Sequence, residues 1–168
     1  MTITNVSVAG RTLVTAPLFH ALTDRAVTDF GVDPALAPRV VDQALAFLAT
    51  AGRSTAANVQ LRPSKAVDPG WHAFLMYTRP YRAFCVQVAG RFLDHVPDDD
   101  PTVSSTRNGA PVHGVASTMQ AIARAGFVVD PDLWLIDGAK CGQCHEDGNC
   151  SASGGAGDEN EDVRYPDK

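Results

Sequence analysis

Residues 36–48 place the tightest limit on what this chain can fold into. Leu36, Val40, Val41, Ala44, Leu45, Phe47 and Leu48 recur at intervals of three and four. That spacing marks one broad apolar face of an α-helix, and such a face must be covered by other elements. Asp33-Pro34 supplies the start signal and Gly52 the stop. Just upstream the same grammar occurs again. Thr15-Ala-Pro17 reads as an N-cap followed by a proline in the first turn, and Leu18, Phe19, Leu22, Ala26, Val27 and Phe30 keep helical spacing up to Gly31. Two helices joined this tightly predict an antiparallel hairpin.

The rest of the chain continues in helical segments. Residues 1–14 alternate weakly and read as a short strand or an extended arm, and residues 53–66 as a polar loop. Val67-Asp68-Pro69 opens a third helix with Asp68 as its cap, and Trp71, Phe74, Leu75 and Thr78 share a face. Pro80 requires a break near Thr78. A fourth helix carries Tyr81, Phe84, Cys85 and Val88 and stops at Gly90, and residues 102–110 read as an exposed loop. Residues 111–125 form the last strong helix, with Val112, Val115, Met119 and Ile122 inward and a Schellman ending at Gly126 and Phe127. Asp130-Pro131 begins at most one more turn. The expected fold is mainly α: about five helices in one compact domain over residues 1–150, with a cysteine-rich segment and a flexible acidic tail over residues 151–168.

Charge narrows the function classes. Residues 146–168 hold seven acids against two bases, leaving twelve of each in residues 1–145. The body is neutral and offers no basic face for phosphates, so no nucleic-acid role is expected. The N-terminus lacks the basic and apolar regions of a signal peptide, and no apolar run is long enough for a membrane span. The expectation is a cytoplasmic protein with no membrane contact, whose partner is another protein or a small molecule. Its thiols then stay reduced, which favours metal binding over a disulfide frame.

Cys141-Gly-Gln-Cys144-His145 followed by Cys150 packs three of the four cysteines and a histidine into ten residues. A C-x-x-C turn brings two sulfurs to one tetrahedral ion, and the turn-forming Glu-Asp-Gly-Asn before Cys150 lets the chain return with a third. The same spacing occurs in thiol switches and in covalent haem attachment. The absence of an export signal ranks haem last.

His72, Cys85 and His95 are the other candidates. Taken singly, each residue is more often packing than ligand. They lie on consecutive short elements around the Pro80 bend, so their side chains can converge. The run VDPGWHAFLMYTRPYRAFCVQVAGRFLDHVPDDDP, residues 67–101, carries Trp71-His72, Tyr81, Cys85, Gly90 and His95, with Asp68 ahead of them. This pattern resembles the core of the glycine-rich-domain-containing proteins, known from plants and fungi and from shorter actinobacterial relatives. ALAFL at residues 44–48 and the late Cys-x-x-Cys-His resemble the actinobacterial members. Many eukaryotic members have His-x-His where this chain has His72-Ala-Phe74, and often Asp where it has Phe84. A metal site implied by the resemblance therefore needs replacement ligands, and the C-terminal cysteines are the obvious source. The expected ligands are Cys141, Cys144, His145, Cys150, His72, Cys85 and His95. Such a mixed imidazole and thiolate set suits zinc, with copper or iron as alternatives. Four protein ligands would make the site structural or partner-binding. Three with an open position would allow an enzyme, with Trp71 and Tyr81 flanking its pocket, and the C-x-x-C pair alone would allow a redox switch.

Overall fold

Helix α2 (Ala37–Arg53) is buried over almost its whole length, and its residues 43–50 are inaccessible on every side. In this computed structural model, which describes residues 7–54, 61–95 and 114–135, the other elements surround that helix. They are a 3-10 turn (Gly10–Leu13), α1 (Ala16–Phe30), α3 (Asp68–Leu75), α4 (Thr78–Ala89), α5 (Val115–Arg124) and the single turn α6 (Pro131–Leu135). The 3-10 turn, α1, α3, α4 and α5 all pack on α2. The mainly helical fold is as expected, with five helices and one additional turn. Where a short strand or extended arm is expected, the described residues 7–14 hold the 3-10 turn Gly10–Leu13 and one isolated bridge, Val8 pairing in parallel with Phe127.

Small residues make this enclosure feasible. Ala44, Ala46 and Ala49 leave room for neighbours, and two glycines allow contacts that a methyl group would block. A Cβ on Gly70 would stand 2.9 Å from the Ala44 Cβ and 3.0 Å from the Val40 carbonyl. A Cβ on Gly52 would stand 2.7 Å from the Ala89 Cβ. Gly52 is therefore not the stop expected of it. The helix runs through it to Arg53 because α4 needs the space.

Several boundaries follow local chemistry. Helix α1 begins after Thr15, carries Pro17 in its first turn and ends at Gly31, although the Thr15 side chain makes no capping bond. The start expected at Asp33-Pro34 is displaced to Ala37. Asp33 instead folds a turn, its carboxylate accepting from the Ala35 N–H at 2.7 Å, and Pro38 occupies the first turn of α2. Pro80 sits third in α4, where its missing N–H has no intrahelical partner to lose. Helix α5 closes as expected: Gly126, at φ +86°, donates to the Ala123 carbonyl, and Phe127 donates to that of Ile122.

Of the four polar side chains buried among the described residues, Gln43, Thr50, Ser64 and Thr118, Gln43 ties together the most distant parts of the chain. Gln43, 2% exposed, accepts from the Trp134 indole N–H at 2.8 Å and from the Asp130 N–H at 3.1 Å, and donates to the Val128 carbonyl at 3.0 Å. Residues 128–134 are thereby fastened to α2. At the surface Arg39 reinforces the joint, gripping Asp130 at 2.6 and 2.7 Å and reaching Asp132 at 3.0 Å. Among the described residues no helix is long and apolar enough to cross a membrane. Replacing Gln43 by Leu removes three bonds and leaves their partners unpaired. The expected loss is about 3 kcal/mol or more, read from urea unfolding, and a near-neutral result would refute this account of the joint.

Candidate metal centre

The site forms where α3 begins. Asp68 and Pro69 occupy its first turn, and Asp68 and His72 stand four residues apart on one face. Close packing of Gly70 on α2 fixes the position of this end of the helix. The third member, His95, lies five residues after the Gly90 cap of α4, in a segment whose Leu93 is buried.

Two hydrogen bonds hold that segment in place. The Tyr81 hydroxyl donates to the Leu93 carbonyl at 2.6 Å and accepts from the Trp71 indole N–H at 2.9 Å. Burial raises the Tyr81 hydroxyl pKa above its ordinary value, so it stays protonated and available as the donor. The Trp71 ring lies 4.3 Å from that of His95, centroid to centroid, and the His72 and His95 rings lie 4.4 Å apart. Phe30, at the end of α1, covers His72 at 5.7 Å. Trp71 and Tyr81, the expected pocket residues, thus form the wall behind His95.

The Asp68 carboxylate stands between the imidazoles. One oxygen lies 3.1 Å from His72 Nδ1 and the other 3.1 Å from His95 Nε2. His72 Nδ1 is also 3.2 Å from the Asp68 backbone carbonyl. One ligand atom from each of the three residues can be chosen such that all lie within 4.8 Å of one another. In a zinc tetrahedron with bonds of about 2.0 Å, adjacent ligand atoms are about 3.3 Å apart. The two carboxylate–imidazole distances run to different oxygens of Asp68 and are those of N–H···O hydrogen bonds, so an ion bound by all three residues would take the place of those bonds. The side chains of Asp68, His72 and His95 are 31%, 39% and 16% exposed, so the cluster opens to solvent on the His72 side.

Of the three expected body ligands, the structure brings together His72 and His95. Cys85 is absent from the group; it is completely buried on the inner face of α4. The third member is Asp68, expected only as a helix cap. The structure makes Val67 the cap and Asp68 the first residue of α3, with the Asp68 carboxylate directed at the two histidines. The clue in the sequence was the i, i+4 spacing of Asp68 and His72. Cys141, Cys144, His145 and Cys150, with the acidic tail, lie outside the described residues.

A family model described as UCP032817-like matches residues 30–110. The match includes Asp68, His72 and His95 and ends before the cysteine segment. No curated protein and no solved structure matches the chain.

Tyr81→Phe tests how His95 is held. It keeps the ring but strands the Leu93 carbonyl and the Trp71 N–H. Amide exchange at residues 92–95 is expected to accelerate, with a stability loss of about 1–3 kcal/mol. Unchanged exchange there would show that packing alone positions His95.

Proposed function

We propose that this is a small helical metal-binding protein whose Asp68, His72 and His95 hold one divalent ion, most naturally zinc, in a structural or partner-binding role. The observation that carries this reading is the convergence of the three side chains within 4.8 Å. Two imidazoles and a carboxylate are a donor set that zinc accepts readily. Iron accepts the same set, and copper is the other alternative.

A fourth ligand from the cysteine segment would close the shell. The anchoring of α6 supports this. Ser64 Oγ donates to the Leu133 carbonyl at 2.6 Å, and the Ser64 carbonyl accepts from the Asp68 N–H at 2.9 Å. The end of α6 is thereby fastened about one turn from the first proposed ligand. Cys141 follows Leu135 by six residues, a span of up to about 20 Å when extended. A sulfur from Cys141, Cys144 or Cys150, or the His145 imidazole, has the reach to complete a four-ligand structural site. The resemblance to glycine-rich-domain-containing proteins fits this reading, since His72 and His95 belong to the pattern that carries it.

A second reading is a metal-dependent enzyme acting on a small molecule. It is favoured by the exposure of His72, which leaves room for water on the ion. Cobalt substitution separates the two. A cobalt–thiolate charge-transfer band supports closure by cysteine, whereas its absence, with a spectrum that responds to added small anions, supports the open site.

The primary test is elemental analysis of untagged protein purified under reducing conditions. About one zinc per chain is expected, with affinity lowered roughly 100-fold or more in His72→Ala, His95→Ala and Asp68→Asn. Circular dichroism should show the helices retained. No metal in the parent protein would overturn the proposal. Metal unchanged by all three substitutions, but lost when Cys141, Cys144 and Cys150 become serine, would confine the site to the cysteine segment.

A further inference from the structure

We propose that the outer face of α4 is a docking surface for the chain's own acidic C-terminal segment, residues 158–165. Helix α4, TRPYRAFCVQVA, carries two arginines and no acid. Thr78, Arg79, Arg82, Ala83 and Val86 line an open depression of about 540 Å³ on that face. Arg79 and Arg82 are both exposed and form no ion pair or hydrogen bond among the described residues. Arg25 and Arg39, by contrast, are each held by aspartates. The same depression has apolar lining: Ala83 is exposed and Val86 is 59% exposed. An exposed face combining unpaired guanidinium groups with apolar surface fits an anionic chain segment that also carries apolar side chains.

The C-terminal segment has that composition. Asp158, Glu159, Glu161 and Asp162 supply four carboxylates within five residues; Val163, Arg164 and Tyr165 follow, so the segment keeps three net negative charges. The carboxylates match Arg79 and Arg82, whose planar forks accept them in bidentate fashion. Val163 and Tyr165 match Ala83 and Val86. Reach is ample, since residues 136–157 extend to roughly 70 Å. Joining the partners in one chain raises their effective concentration to about the millimolar range, so a contact too weak to hold two molecules together is still populated. Its ionic part weakens with salt. The surface is separate from the Asp68–His72–His95 cluster, so this inference does not depend on the metal proposal.

The test is nuclear magnetic resonance on the full chain. Backbone amides of residues 78–90 and the side-chain Nε–H signals of Arg79 and Arg82 are compared between the parent and a variant in which Asp158, Glu159, Glu161 and Asp162 become their amides. The reciprocal variant, Arg79→Gln with Arg82→Gln, is read at residues 158–165. Both variants change exposed or terminal positions, and equal melting temperatures verify that the helical body is intact. Docking predicts that each variant shifts the signals of the opposite partner, that high salt reproduces the shifts, and that dilution does not change them. Signals of α4 that ignore the tail substitutions overturn the proposal. Shifts that grow with protein concentration overturn it in favour of a second copy as the occupant. A response of Arg79 and Arg82 to added inorganic phosphate, with none to the tail substitutions, overturns it in favour of a small anion.

Discussion

Burial of α2 on all sides is the constraint on which the rest depends. A helix enclosed over residues 43–50 cannot leave a polar group unpaired, and its neighbours must approach closely. Gln43 meets the first requirement by engaging the Trp134 indole and the backbone of residues 128–130. Gly52 and Gly70 meet the second by admitting α4 and α3. Removing the side-chain volume at these two positions costs helix propensity, but it allows two helices to reach a third that is already covered elsewhere.

The Asp68–His72–His95 cluster inherits its geometry from that enclosure. Asp68 and His72 ride on the end of α3 that Gly70 seats against α2. His95 comes from an irregular segment, and a single tyrosine hydroxyl connects that segment to Trp71 on α3. Two members of the cluster therefore come from a helix and one from a tied-down loop. Phe47 joins the site to α6, its ring packing on both Trp71 at 5.6 Å and Trp134 at 6.2 Å. The Gln43 joint and the His95 wall thus share one aromatic core.

Cys85 shows why a residue type in a suitable pattern is not yet a ligand. It is four positions after Tyr81 on the buried face of α4, so the period that places Tyr81 in the core places the thiol there as well. Asp68 is the converse case. An aspartate before a proline at a helix start has an ordinary local role as a cap. Two imidazoles within reach offered its carboxylate stronger partners, and one of them is 27 residues away.

The sequence by itself determined the helical class, the extents of α1 and α4, and the Schellman ending of α5. These rest on periodicity and on residues whose backbone preferences act over one or two turns. Only the tertiary structure decided that Gly52 lies inside a helix, that Gln43 is buried, that Cys85 is core, and that Asp68 joins the histidines. Each of these depends on what approaches from a distant part of the chain. A side chain's local pattern says which way it faces, but not what it meets there.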